Sequence, residues 1–503
     1  MYRNWVILAI IVLIYLPVSI DATVLHVAIP TLSAALSLSS NEMLWVIDIY
    51  SLIMAGLILP MGALGDRIGF KRLMLIGAGI FGVASLMAAF ASSAYMLIAA
   101  RAFLGVGAAM ILPATLAGVR NTFLDEKQRN YALGIWGTVG GGGAAFGPLL
   151  GGFILEHFSW GTVFLINVPI IILVLVLTTW LVPKQAVQTK QPLNLLQALI
   201  LVTAILMLIY SIKTSIYAFS LGMILIFVLG LGLLVGFIRH QLKTTQPMID
   251  FSLFKNPVIS TSIVMAMVAM IALVGFELLL SQELQFVYGY SPLEAGLFIL
   301  PFMIAISIGG PFTSILMNHY GLRPVATVGM LMCALCFFGL AMTNFDIDYI
   351  QAWVWMVLMG ISVEIALLSS TAAIMSAVPP QKATAAGAIE GMAYELGAGL
   401  GIAIFGLLLS IFYANSIILP DHLPLNIAAQ ASSSIGEALL LSKQLEPALM
   451  QQVKQAAFEA FIHSHSKVLG ISGLMFLVLS VFVWRALPAK KRGGSGNLNN
   501  TYK

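Results

Sequence analysis

Asp21, Asp48, Arg101, Glu277, Glu364, Glu390 and Glu395 interrupt stretches of sequence that are otherwise apolar. In hydrocarbon such groups are costly, and by default they mark ion and proton pathways. Desolvation favours the protonated form of a carboxyl group, and a nearby cation favours the ionised form. A proton and a cation therefore compete for one buried acid, and no bond-making chemistry is needed. Asp21 lies in Ser19-Ile20-Asp21-Ala22-Thr23-Val24 and Arg101 in Arg101-Ala102-Phe103-Leu104-Gly105-Val106-Gly107, both toward the outer side of their spans. Paired, they would partly neutralise each other; unpaired, either would be expensive. Glu364 is the most central acid, whereas Asp48 and Glu277 lie near outer ends, where hydration is easy. Glu390 and Glu395 enter from the inside in AAGAIEGMAYELGAGLG, five residues apart. That spacing points them to different faces of one helix, so one can face a cavity while the other pairs elsewhere.

Two further patterns concern motion rather than charge. Gly62-Ala63-Leu64-Gly65-Asp66-Arg67-Ile68-Gly69-Phe70-Lys71-Arg72 packs charges and glycines into a short connection between apolar stretches. It has a degraded echo. When Met61–Gly77 is set against Thr313–Gly329 without gaps, Gly69 meets Gly321, Lys71 meets Arg323, Gly77 meets Gly329 and Asp66 meets Asn318. Further along, Gly143, Gly147 and Gly151 recur every four residues beside Pro148 and Gly152. They form a bare stripe for close helix contact, with a proline that removes a backbone donor.

The elements that must position these residues follow from hydropathy. Of 503 residues, 60% are hydrophobic and 9% charged, against roughly 25% charged in soluble domains. The apolar residues form long runs, many near the roughly 20 residues that cross a bilayer. Fourteen spans are expected near 5–29, 43–64, 73–91, 95–118, 132–155, 162–182, 193–211, 217–237, 257–281, 292–316, 325–343, 350–374, 385–410 and 467–486. The fold class is thus an all-α polytopic membrane protein. With the N-terminus inside, Lys and Arg divide nineteen to four in favour of inner loops and termini, with Arg101 within a span. Lys213, Lys443, Lys454 and Lys467 are the four assigned outside. This bias sets both termini in the cytoplasm, and the net charge of +4 is its by-product rather than a nucleic-acid footprint. Trp5, Trp180 and Trp484 near inner ends, with Trp45, Trp160 and Trp353 near outer ones, read as interfacial anchors.

The echo sits eight spans after the signature loop, which gives a plan of six, two and six spans in parallel halves. The halves are 1–190 and 241–486, the inserted pair 191–240, with an outer loop 411–465 and a disordered tail 487–503. Within that loop, helical periodicity from Glu437 to Phe461 is interrupted at Pro447. Cys333 and Cys336 lack the further ligands zinc needs and read as apolar filler. Gly77-Ala78-Gly79-Ile80-Phe81-Gly82 has no strand before it, and no P-loop run occurs. His26 reads as a lone interfacial histidine. The first span lacks a cleavage site and stays as an anchor.

Taken together, these motifs resemble the fourteen-span drug:proton antiporter branch of the major facilitator superfamily. The resemblance is carried by the Gly62–Arg72 loop, by Asp21-Ala22-Thr23-Val24 with Ala28-Ile29-Pro30, by Arg101 with Gly105-x-Gly107-Ala108-Ala109, by Gly143-x-x-x-Gly147-Pro148-x-x-Gly151-Gly152, and by Tyr290-Ser291-Pro292-Leu293-Glu294-Ala295-Gly296-Leu297. It implies two six-helix halves plus two inserted helices. It also implies a role for Arg101 in proton transfer, a conformational latch at Gly62, Asp66, Arg67, Gly69, Lys71 and Arg72, and an exporter's antiporter motif at Gly143, Gly147, Pro148, Gly151 and Gly152. The sequence departs from the branch at Trp160-Gly161-Thr162-Val163-Phe164, at His26 and at Glu283, and these features, with Phe276-Glu277 and Gln282-Glu283-Leu284-Gln285, resemble one subgroup of it. The subgroup sharing these departures implies export of quaternary ammonium compounds, bis-cationic biocides, methyl viologen and cationic dyes. The expectation is a proton-driven exporter of lipophilic mono- and dications in a bacterial inner membrane. It would be monomeric, in contact with lipid, without nucleic acid, cofactor or metal, and not an enzyme. A nutrient symporter is the rival within the class; a membrane-embedded lipid-modifying enzyme is the rival from another. Against the enzyme, Asp421, Glu437, Glu446, Glu459, His463 and His465 are dispersed through the outer loop.

Overall fold

A computed structural model of the chain describes residues 2–183, 195–217, 220–245, 247–378, 383–420, 423–442 and 445–488. The helices are α1 (Tyr2–Leu36), α2 (Ser40–Ile68), α3 (Phe70–Ala89), α4 (Ala94–Thr122), α5 (Glu126–His157), α6 (Thr162–Leu165), α7 (Asn167–Leu181), α8 (Leu195–Tyr217) and α9 (Leu221–Lys243). They continue with α10 (Pro257–Gln282), α11 (Pro292–Tyr320), α12 (Leu322–Ala341), α13 (Tyr349–Ala377), α14 (Ala383–Ser416), α15 (Leu425–Ala431), α16 (Ile435–Ser442) and α17 (Pro447–Ala486). Among the described residues, fourteen spans are long and apolar enough to cross a membrane, α6 and α7 together making one of them. The chain is a multi-pass membrane protein. An even number of spans returns the chain to the face where it began, the terminal face; the opposite face is distal.

The echo in sequence is an echo in geometry. The helices α2, α3 and α4 have 29, 20 and 29 residues, and α11, α12 and α13 have 29, 20 and 29. Both α2 and α11 begin with a capping box, Ser39 with Glu42 and Ser291 with Glu294, which satisfies otherwise orphaned backbone donors. Both end at a glycine with positive φ, Gly69 at 86° and Gly321 at 91°. Only glycine adopts that conformation without steric cost. The following cations also play matching parts. The Lys71 Nζ donates to the carbonyls of Thr179 (2.9 Å) and Val182 (2.6 Å) at the end of α7. Arg323 lies 4.2 Å above the Trp484 ring near the end of α17.

In the first bundle α1 packs on α5, α2 on α4, and α3 on α4 and α7; in the second, α10 packs on α14, α11 on α13, and α12 on α13 and α17. The bundles meet along two seams, α2 with α14 and α5 with α11. The distal side is sealed: residues 24–30 of α1 and 274–282 of α10 are buried without interruption. Toward the terminal face both helices alternate between buried and accessible positions.

The structure corrects several expectations. The break expected at Pro447 is present, between α16 and α17, but the proline begins α17 at a position that tolerates it, and this helix runs 40 residues to Ala486 instead of starting at 467. Lys454 and Lys467 therefore lie on α17, and α15 and α16 occupy the rest of the expected outer loop. Lys213 is not a loop residue: α8 continues past the apolar run and buries it. Trp45 is buried rather than interfacial, whereas Trp180 is well exposed. Lys184, Lys190, Lys382, Asp421, Lys443 and the tail 489–503 lie outside the described residues.

Candidate transport site

Asp21 and Arg101 meet. They come from α1 and α4, both are buried, and Asp21 Oδ2 faces Arg101 Nη1 in a charged hydrogen bond. The guanidinium is fixed from a third helix as well. Arg101 Nε donates to the Val46 carbonyl at 3.1 Å, and the Tyr50 ring lies 4.5 Å from the guanidinium carbon. Tyr50 in turn donates from its hydroxyl to the Val18 carbonyl at 3.3 Å. Asp21 Oδ1 has no hydrogen-bond partner, so the pair retains one unfilled acceptor.

Asp48 and Glu277 are not hydrated end residues. Asp48 is 0% exposed and Glu277 1%, and each has a basic side chain beside it. Lys213 Nζ donates to Asp48 Oδ2 at 2.9 Å and lies 4.3 Å from the Trp45 ring centre. His26, expected as an interfacial residue, is buried on α1 with Nδ1 3.0 Å from Glu277 Oε2 on α10. That contact has close approach without hydrogen-bond alignment, and it joins the two bundles on the sealed side. Beside it Gln285 donates to the Val27 carbonyl at 3.0 Å. Glu283 and His465 form a further buried pair, between the end of α10 and α17.

The remaining acids differ in kind. Among the described residues no Lys, Arg or His lies within ion-pair distance of Glu364, Glu390 or Glu395. Glu390 is buried and accepts from the hydroxyls of Thr371 (2.7 Å), Tyr394 (3.1 Å) and Ser370 (3.4 Å). Glu395, five residues on, faces elsewhere: it is part-accessible and within electrostatic reach of Tyr15 and Tyr50. Tyr15 stacks on Trp136 at 4.5 Å, and Trp136 Nε1 donates to Thr115 at 3.2 Å. Glu364 is also part-accessible, in the middle of α13. It packs against Gly309 and Gly310, whose missing side chains leave it room. The acids thus divide. Those in the distal half have a basic side chain beside them, and those at mid-depth or nearer the terminal face have none among the described residues. An accessible carboxylate beside stacked aromatic rings suits a lipophilic cation, through charge and cation–π attraction. Two hollows on the distal side, under α16, share Ser33, Phe286 and Gly436 and have no carboxylate among their lining residues.

The motif residues are placed as follows. Gly143, Gly147 and Gly151 press on α1; a Cβ at Gly147 would lie 3.0 Å from the Ile20 carbonyl oxygen. Thr23 donates to the Ala144 carbonyl at 2.8 Å across this contact. Gly152 meets Leu293 of α11 instead, and a Cβ at Gly296 would lie 2.8 Å from the Pro148 carbonyl oxygen. In the signature loop Gly62 lies beside Pro113 and Gly65 beside Leu73. Asp66, Arg67 and Arg72 are exposed at the terminal face, with Asp66 in reach of Arg120. Among the described residues no ion pair links them to the second bundle.

Lys213, Tyr15, Trp136 and the hydroxyls around Glu390 were not expected in the site. Lys213 left one signal, Ser211-Ile212-Lys213-Thr214-Ser215 continuing the register of an apolar helix. The aromatic pair left none, since α1 and α5 are brought together only by the fold.

The sequence profile of the Major Facilitator Superfamily matches residues 11–402. The chain is 58% identical to the methyl viologen resistance protein SmvA of Salmonella typhimurium over 98% of its own length and all of that protein's. It is 35% identical to the multidrug efflux pump LfrA of Mycolicibacterium smegmatis over 96% of each chain. In three dimensions it is similar to a bacterial homologue of the human lysosomal transporter Spinster, with a TM-score of 0.70 at 17% identity, covering 96% of this chain and 97% of that one. A helical chain of fourteen spans, repeated in two bundles around intramembrane acids and matched by this profile over most of its length, is a transporter and not an enzyme: it belongs to the Major Facilitator Superfamily.

Proposed function

We propose that the protein exports lipophilic mono- and dications, quaternary ammonium compounds and methyl viologen among them, in exchange for protons. The observation that carries this reading is the division of acids. Carboxylates with a basic side chain beside them lie in the sealed distal half, and Glu364, Glu390 and Glu395, which have none among the described residues, lie at mid-depth or nearer the terminal face. The terminal face is cytoplasmic, as the Lys and Arg bias requires, and the membrane is the bacterial inner membrane. A cation from the cytoplasm or inner leaflet is held by Glu395 and Glu364 with the Tyr15–Trp136 platform. The bundles then rock about the α1–α5 stripe, and protons from outside displace it. The Asp66–Arg67 loop closes the cytoplasmic side when the cavity faces outward. The monomer, surrounded by lipid, is sufficient, and the proton gradient replaces any cofactor. The relatives named for methyl viologen resistance and multidrug efflux support the substrate class.

The test uses the purified chain in liposomes with an internal pH probe and an imposed proton gradient. Addition of methyl viologen should release protons, and Asp21→Asn should abolish the release. Release kept in Asp21→Asn moves coupling to Glu364, Glu390 or Glu395. No release with any cation refutes the antiport reading.

A further inference from the structure

The two seams between the bundles are not equivalent, and α8 is the reason. Along the α2–α14 seam, Leu44 meets Gly406, Leu52 meets Gly399 and Ile58 lies beside Gly391. This seam is then covered from outside. Val202, Ile205 and Ile209 of α8 pack with Ile49, Leu52 and Ile53 of α2 and with Leu396, Leu400 and Ala403 of α14. A Cβ at Gly56 would collide with the Val202 side chain, so α8 is seated as closely as a glycine permits. Nearer the terminal face Leu201 packs with Ile389 and Ala393 of α14. Lys213 fixes the other end through Asp48 and Trp45. A buried pair of this kind resists loss of either partner, because the survivor is left uncompensated.

Among the described residues no helix covers the α5–α11 seam in this way. It is closed at the distal end, where Gly152 meets Leu293 and Gly296 meets Pro148. The α11-facing stripe of α5 runs on toward the terminal face at helical spacing, from Pro148 through Ala145 to Thr138 and Gly134. There Thr138 and Gly134 are exposed, and nothing lies within 4 Å of a Cβ built at Gly134, Gly137 or Gly142. On the other side of the seam Ser307, Pro311 and Ser314 of α11 are exposed. Just inside, a Cβ at Gly310 would lie 3.3 Å from Glu364 Oε1.

We propose that α8 is a strap that closes one lateral seam. A cation dissolved in the membrane then reaches the cavity only through the other seam, between α5 and α11, where Glu364 is the first carboxylate it meets. The inserted helix pair thereby sets which side of the transporter faces its lipophilic substrates. This rests on the reading of the chain as a cation exporter.

The experiment compares two probes in proteoliposomes of the full chain: tetraphenylphosphonium, which partitions strongly into the bilayer, and methyl viologen, a dication that partitions into it far less. Gly134→Trp fills the open seam, where there is space for it. It should lower the export rate of tetraphenylphosphonium at least fivefold while methyl viologen export stays within twofold, which also reports that the variant is folded. Leu199→Trp, on the exposed surface of α8, should leave both rates within twofold. Equal loss of both probes in Gly134→Trp, or loss of neither, would overturn the proposal. So would a selective loss of tetraphenylphosphonium export in Leu199→Trp. If the unmodified chain exports neither probe, the exporter reading itself fails, an outcome distinct from the other three.

Discussion

At the residue scale, what separates the acids is whether a basic side chain already sits beside them. Asp21 is bound to an arginine held from α1, α2 and α4, so its substitution has two consequences. Asp21→Asn leaves Arg101 buried without its counter-charge and should lower stability by about 3 kcal/mol, seen as a fall in Tm in detergent. Arg101→Gln in the same chain should recover most of that stability without recovering export, because pairing has been removed from both sides. If Tm is unchanged in Asp21→Asn, the pair does not hold α1 to α4. Glu395→Gln carries no such penalty, since no basic side chain depends on Glu395 among the described residues. Its fold should stay intact while affinity for a monocation falls roughly tenfold, the loss of about 1.4 kcal/mol of charge and cation–π attraction. Equilibrium binding of tetraphenylphosphonium checks this, and unchanged affinity would remove Glu395 from the site.

At the element scale, the bare stripe of α5 and the clamp on α8 are both statements about which helices move together. A Leu at position 147 meets the Thr23 hydroxyl first and, behind it, α1 backbone at Ile20 and Val24 that a side-chain rotation cannot clear. Gly147→Leu should therefore cost about 2 kcal/mol by overpacking and slow export of every substrate alike; thermal unfolding and initial rates read the two effects separately. For the clamp, Lys213→Met alone should destabilise by about 3–5 kcal/mol, whereas Lys213→Met with Asp48→Leu should be close to neutral. A single variant as stable as the parent would show that Asp48 and Lys213 are independent. The two elements also show how far sequence reaches. The fourteen spans, the glycine stripe and the echo of the signature loop were legible because each is periodic or local: apolar runs, a spacing of four, a turn that only glycine fits. Even the capping boxes at Ser39 and Ser291 lie within four residues of chain. Lys213 against Asp48 and His26 against Glu277 were not legible, because each pair joins distant segments. A charge near the end of an apolar run also looks hydrated until the helix is seen to continue. The same reasoning misplaced Trp45, which is covered by α8 rather than by lipid headgroups.

At the scale of the whole molecule, energetics demand more than one protonatable acid. Moving a dication out against 100 mV costs about 4.6 kcal/mol, and one proton moving in returns about 2.3. A pH difference of one unit adds about 1.4 kcal/mol per proton. One proton therefore supplies about 3.7 kcal/mol, enough for a monocation at about 2.3 but not for a dication; two supply about 7.4. The second bundle provides three carboxylates without basic partners among the described residues, one of them buried among hydroxyls and two accessible. A division of labour follows, in which a monocation displaces one proton and a dication two. The stoichiometry is read from the pH gradient at which substrate-driven proton flux reverses at a fixed substrate gradient; with one proton per monocation or two per dication the exchange is electroneutral, so that reversal point should not move when potassium and valinomycin set the voltage. Tetraphenylphosphonium should give one proton and methyl viologen two. Glu364→Gln should keep tetraphenylphosphonium export while losing methyl viologen export against a negative-inside potential. A value of one proton per methyl viologen at a small pH gradient would show that the extra acids do not take part in coupling, and would return them to a purely structural role.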